Sequence, residues 1–149
     1  MQNIKTCTKC PLFQNNPQYC TPITSYGKGT NLFIDDQPDK YTLLGEKPYG
    51  FRYDLINKIC TDLNVEFHYT YLIRCLGKTS KEKILTCLPW IFEEITHIQP
   101  NIIFTLGKTR QYIKHDTIKI VNLKSPVYIL RNGTKELKLY IETIKQYVT

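Results

Sequence analysis

The chain carries few of the marks of a membrane or secreted protein. No apolar run in its 149 residues is long enough to span a bilayer, and the opening segment MQNIKTCTKC lacks the apolar core of a signal peptide. An intracellular, cytoplasmic protein with no membrane association is expected. Internal repeats, low-complexity tracts and linker-like stretches are also missing. The length therefore reads as a single domain over residues 1–149, large enough for one sizeable core. Gly107-Lys108-Thr109 does not make a Walker A loop, because position 102, where that motif needs its first glycine, is Ile. Acidic residues are in deficit, 13 against 20 Lys and Arg, giving a net charge of +7 and a pI near 9.1. Such a balance suits a polyanionic partner, although Lys-, Ile- and Asn-rich usage also follows from an AT-rich genome. The basic residues are spread along the chain, so no single run marks a binding face.

What stands out against these absences is cysteine. Cys7 and Cys10 form a C-x2-C knuckle, and Cys75 and Cys87 follow far along the chain. The knuckle puts two thiolates on one tight turn, and two distant cysteines complete a four-sulfur cage. In an intracellular chain, cysteines serve as metal ligands or free thiols more often than as disulfides. Spacing alone leaves zinc and iron–sulfur both open, since each accepts four thiolates. Of the remaining two, Cys60 lies on an apolar helical stripe and reads as core, while Cys20 is an alternative to Cys10 as a ligand. The Asn132-Gly133-Thr134 sequon carries no weight in such a protein.

Residues 1–30, with Pro11, Pro17, Pro22, Gly27 and Gly29, lack a period and read as an irregular lead-in. Asn31–Ile34 is a short apolar strand that gives way to an Asp35-Asp36-Gln37-Pro38 loop. Leu55, Ile56, Ile59, Cys60 and Leu63 repeat at helical spacing over 53–63, and 65–73 reads as a strand ending just before Cys75. Ile84, Leu88, Ile91, Ile95 and Ile98 form a second helical stripe, with Ser80 as its N-cap and Pro100 beyond its end. A buried strand over 101–106, a short helix over 108–114, a strand over 118–123 and a closing helix from Thr134 complete the reading. Alternating strands and helices predict an α/β domain: a mostly parallel, four-stranded central sheet flanked by helices. Sites in such folds gather at the carboxyl ends of the strands, which here means the Asp35 loop, Cys75 and Ser125.

Five stretches, in order, carry a family resemblance. They are Cys7-Thr8-Lys9-Cys10-Pro11-Leu12; Thr70-Tyr71-Leu72-Ile73-Arg74-Cys75; Cys87-Leu88-Pro89-Trp90-Ile91; Ile98-Gln99-Pro100-Asn101-Ile102-Ile103 with Leu106-Gly107; and Ser125-Pro126-Val127-Tyr128-Ile129-Leu130-Arg131. Together they resemble the iron–sulfur branch of the uracil-DNA glycosylase superfamily, the family-4 type, over nearly the whole chain. The resemblance implies that family's three-layer fold and a [4Fe-4S] cluster held by Cys7, Cys10, Cys75 and Cys87. Such a cluster contributes roughly −2 and leaves the holoprotein basic.

The resemblance weakens at the positions that carry the family's chemistry. The family's GEAPG loop falls on Asp35-Asp36-Gln37-Pro38-Asp39, which leaves Asp36 to stand in for the acid that positions water. The acidic pair beyond it falls on Thr42 and Leu43. The aromatic ring on which the base stacks falls on Tyr49, after Pro48. The asparagine that reads the base edge falls on Tyr71, and the histidine of the last motif falls on Ser125. None of His68, His97 and His115 sits at a family catalytic position. Gln37, Pro38, Tyr49 and Tyr71 would thus line a base pocket. Lys28, in the Gly27-Lys28-Gly29 turn, and Lys124, Pro126 and Arg131 would meet DNA. Losing one electrostatic donor costs about 10²–10³ in rate and losing a positioned acid or base about 10²–10⁴. The expectation is a DNA-binding, cluster-carrying protein without ordinary uracil excision. It would act as a binding or assembly subunit in replication or repair, beside a partner from that machinery, with a phage or viral source in view. The alternatives are an active glycosylase retargeted to another base and a zinc-stabilised interaction module.

Overall fold

The computed structural model describes residues 25–38, 42, 47–74 and 80–149. Cys7, Cys10, Cys20 and Cys75 lie outside these residues, as do Asp39 and Leu43. The elements in chain order are β1 (Tyr26–Gly27), β2 (Asn31–Asp35), α1 (Phe51–Asp62), β3 (His68–Tyr71), α2 (Lys81–Ile98) and β4 (Ile102–Leu106). A 3-10 helix (Gly107–Gln111), β5 (Lys119–Leu123), α3 (Pro126–Arg131) and α4 (Gly133–Tyr147) follow.

The sheet runs β1-β3-β2-β4-β5, and every neighbouring pair is parallel except β1 with β3. The α/β reading holds, with one correction: among the described residues the sheet has five strands. The unforeseen β1 is two residues long, too short for any alternation to show. Its position depends on Gly27, whose φ is +116° and whose added Cβ would lie 2.1 Å from the Phe67 carbonyl oxygen. Only glycine permits that approach. The strand expected over 65–73 pairs only over His68–Tyr71. The six-residue α3 was also unforeseen, being too short for a helical stripe; Pro126 opens it and Ser125 caps it.

Parallel strands buried on both faces read as continuous apolar runs, and all five residues of β2 and of β4 are buried. Side-chain alternation then separates two cores. Phe33, Tyr69, Tyr71, Phe104, Leu106 and Leu123 pack with Ile56, Ile59 and Cys60 of α1, Ile129 of α3 and Ile144 of α4. Leu32, Ile34 and Ile103 pack on the other side with Ile84, Ile91 and Ile95 of α2. Ser80 caps α2 as expected, its hydroxyl accepting the Lys83 N–H at 3.3 Å. The chain's end is tied to the start of the central strand: buried Asn31 donates to the Glu66 and Thr149 carbonyls and accepts the Thr149 N–H at 2.9 Å.

Candidate active site and nucleic-acid interface

The carboxyl edge of the sheet has two halves. The first is built where β2 and β3 end. Asp35 continues the inward face of Phe33 and is only 4% exposed. Its Oδ2 accepts the Tyr69 hydroxyl at 2.7 Å and pairs with Arg52 Nε at 3.2 Å, while Oδ1 accepts the Asp36 N–H at 2.7 Å. Arg52, from the first turn of α1, also donates to the Gln37 carbonyl at 2.9 Å. The chain leaving β3 adds two backbone bonds, Leu72 N–H to the Asp35 carbonyl at 2.8 Å and Ile73 N–H to that of Asp36 at 3.0 Å. The start of the Asp36 loop is therefore held from below, from α1 and from β3.

Burial pushes the Asp35 carboxyl above its ordinary range, against the opposing pull of Arg52 and of the Tyr69 and Asp36 hydrogen bonds. Burial, then the adjacent Asp35 carboxylate, drives the Tyr69 phenol well above its usual value. Asp36 itself is half-buried, Gln37 likewise, and Pro38 is buried. Tyr49 is 59% exposed, and its N–H donates to the hydroxyl of buried Thr42 at 3.0 Å. Tyr71 is 2% exposed, with its ring edge-on to Tyr69 at 5.5 Å inside the core shared with α1.

The second half lies beyond β4 and β5. Gly107, Lys108, Arg110, Gln111, Asn122 and Leu123, with Lys124, Ser125 and Tyr128, line an open cleft of about 520 Å³. Gly107 turns the chain with φ +61°, and a Cβ there would lie 3.4 Å from that of Ser125, so the two loops face each other closely. The Ser125 hydroxyl accepts the Val127 N–H at 3.3 Å, which is an N-cap role. Lys124 lies 4.5 Å over the Tyr128 ring and 3.6 Å from Glu136. The Tyr128 hydroxyl, and then Glu136, raise its pKa, so it stays charged throughout the neutral range. Thr109 ties the halves together through its hydroxyl bond to the Ile34 carbonyl at 3.3 Å.

The expected site residues are thus not all brought together. Asp36, Gln37, Pro38 and Tyr71 lie at the first half, and Lys124, Ser125 and Pro126 at the second. Exposed Arg131 sits at the far end of α3. Lys28 lies at the opposite edge of the sheet, beside the start of β3, where its N–H bonds the Phe67 carbonyl at 3.0 Å. Sequence reasoning gave no site role to Arg52, Lys108, Arg110 or Tyr128, and named Asp35 only as the start of its loop. A signal for Asp35 existed: it is an acid at an inward position of a buried strand. Nothing local marked Arg52, whose role depends on how α1 packs.

Cys87 lies on α2 and is 5% exposed. Seven residues along the same helix, Glu94 pairs with Arg74, the residue before Cys75. Among the described residues, no group of three or more His, Cys, Asp or Glu side chains is arranged to hold a metal ion. Burial pushes the Cys60 thiol up to about 12, in keeping with a core residue. No helix among the described residues is long and apolar enough to cross a membrane.

Comparison with known proteins gives two findings. The Type-4 uracil-DNA glycosylase of Saccharolobus solfataricus is 25% identical over 114 residues, a match covering 70% of this chain and 52% of that protein. The chain thus spans about half the length of that relative. Residues 37–148 match the family model of the uracil DNA glycosylase superfamily, from the Asp36 loop to the end of α4. The chain belongs to the uracil DNA glycosylase superfamily.

Proposed function

We propose that this chain is a DNA-binding member of the superfamily that has lost ordinary uracil excision and serves as a binding or assembly subunit in DNA replication or repair. The observation that carries this reading is Tyr71. At the position of the family's base-reading asparagine, a phenol ring is packed into the core, 2% exposed. A planar amide that pairs with a base edge has no counterpart there. Ser125, at the histidine position, caps α3 and is no substitute for an imidazole that stabilises developing charge. The cleft that presents Lys108, Arg110 and Lys124 supports DNA as the ligand, through phosphate contacts. A [4Fe-4S] cluster on Cys7, Cys10, Cys75 and Cys87 belongs to the same proposal. Four thiols are donors that iron–sulfur and zinc both accept, and the buried Cys87 on a fixed helix fits either. When bound, the group would supply a structural staple between distant parts of the chain.

A second reading, a glycosylase retargeted to another base, is favoured by the anchored Asp36 loop. A water-positioning carboxylate needs such a fixed backbone. The experiment that separates the two is incubation with single- and double-stranded oligonucleotides carrying uracil and other modified bases, followed by alkaline cleavage of abasic sites. The binding reading expects no scission above background, together with an affinity that falls steeply with salt. Scission that Asp36→Asn abolishes would establish the second reading instead.

A further inference from the structure

We propose that Tyr140 of α4 is a positioning residue for the cationic cleft: its hydroxyl fixes the backbone from which Lys124 reaches a DNA phosphate. The inference rests on the reading of that cleft as a DNA-binding surface, and it deepens that reading by naming what holds one of its cations in place.

Lys124 stands where the sheet stops supporting the chain. The β4–β5 ladder ends at the pairing of Leu106 with Leu123, one residue earlier. The residue after Lys124 is Ser125, the cap of α3. Between these two, the Lys124 carbonyl accepts the Tyr140 hydroxyl at 3.1 Å. Tyr140 is 5% exposed, and its ring belongs to the core that also holds Ile129 and Ile144. A ring fixed by the core therefore anchors a loop at the surface. Burial, then the Asp35 carboxylate, raise the phenol above its ordinary range, so the hydroxyl keeps its proton and donates.

The same helix meets the other end of Lys124. Glu136, about one turn before Tyr140, lies 3.6 Å from the ammonium. The ammonium also sits 4.5 Å over the Tyr128 ring. A buried phenol needs an acceptor, and that need alone would be met by any carbonyl within reach. Here the acceptor belongs to a cleft lysine. An exposed ion pair restrains a lysine head only weakly, and the stem behind it is flexible. The place of the Lys124 backbone thus decides which phosphate the cation reaches. Because the Gly107 and Ser125 loops pack closely, a shift of this backbone would also reshape the mouth of the cleft. Holding it before the ligand arrives lowers the cost of ordering it on binding.

The test measures binding of the full chain to short labelled single- and double-stranded oligonucleotides by fluorescence anisotropy over a salt series. Wild type is compared with Tyr140→Phe, Lys124→Ala, Lys108→Ala and the two double variants that join Tyr140→Phe to each lysine change. Tyr140→Phe keeps the ring in the core and removes only the hydroxyl, and a urea midpoint is recorded beside each affinity. It is expected to weaken binding about fivefold, the scale of one net hydrogen bond. On the Lys124→Ala background the same change should cost less than about twofold, while on the Lys108→Ala background its full effect should remain. The slope of log K against log salt should move towards that of Lys124→Ala, by up to about 0.7–0.9 for one phosphate contact. A role confined to stability would lower the urea midpoint and either leave affinity unchanged or weaken it equally on both backgrounds. Either of those results would overturn the role of Tyr140 and leave the DNA reading intact. A wild-type chain that binds neither oligonucleotide would overturn the DNA reading, and the role of Tyr140 with it.

Discussion

The two halves of the carboxyl edge are made of the same element, the end of a parallel strand, yet they are opposites. Where β2 and β3 end, a carboxylate is turned inward and paired: Asp35 is 4% exposed and accepts bonds from Tyr69, Asp36 and Arg52. Where β4 and β5 end, cations stand around an open cleft of about 520 Å³. A group that must hold a loop still is worth burying, because its bonds are strengthened in a low-dielectric setting. A group that must meet a phosphate has to stay in solvent until the ligand arrives. On the function proposed above, holding falls to the first half and binding to the second.

Breaking the binding half should produce the largest effect. Charge reversal at Lys108, Arg110 and Lys124 together is expected to weaken DNA binding by at least about 100-fold. It should also flatten the dependence of log K on log salt by roughly 0.9 for each phosphate that the variant no longer neutralises. The fold should be unaffected, since all three side chains are exposed. Lys28→Glu at the other edge of the sheet is the control and is expected to change affinity little. Equal losses from Lys28→Glu and from the triple variant, measured by fluorescence anisotropy over a salt series, would dissolve the distinction between the edges.

The holding half should respond in stability. Arg52→Ala removes the cation beside Asp35 and the bond to the Gln37 carbonyl at once. It leaves a buried carboxylate short of a partner, so a loss of about 1–3 kcal/mol is expected in urea denaturation at pH 7. DNA affinity should move by less than about threefold, the reverse of the charge-reversal result. A variant with unchanged stability would mean that the loop is held by the β3 backbone bonds alone.

How far this contrast could be read in advance depended on the range of the signal. The helices over 51–62 and 81–98 follow from periodicity, because burial on a regular helix repeats in sequence, and the three inner parallel strands follow from short runs of apolar, β-branched and aromatic residues. So does the gathering of loops at one edge, since parallel strands must all end there. Tyr26–Gly27 and Pro126–Arg131 were illegible because two and six residues contain too little repetition. The site was legible only where its residues are consecutive. Asp35 and Asp36 are adjacent, but one turns inward and the other does not, and which acid does what is decided by the alternation set by Phe33. Arg52 and Lys108 reach their places through helix packing and through the Gly107 turn. No spacing in the sequence encodes either.

The finest test of the holding half is the titration of Asp35. Burial raises its carboxyl above 3.8 and outweighs the attraction of Arg52 and the hydrogen bonds from Tyr69 and Asp36. The unfolded chain therefore gives up this proton at a lower pH than the folded one. Between the unfolded value and the raised folded value the native state binds more protons, so stability contributed by the site falls as pH rises through that window. The deficit then persists above it. Asp35→Asn removes this dependence, and its Oδ1 can still accept the Asp36 N–H. The variant is expected to lie within about 1 kcal/mol of wild type at pH 7, balancing a lost charge-assisted bond against a relieved burial cost. Its stability relative to wild type should improve as the pH is raised from about 4 towards neutrality. Urea midpoints for both proteins across that range supply the measurement. The opposite trend, with wild type gaining on the variant as pH rises, would show that Arg52 dominates burial. The loop would then be held chiefly by charge, and the two halves of the edge would differ in exposure but not in the kind of force they use.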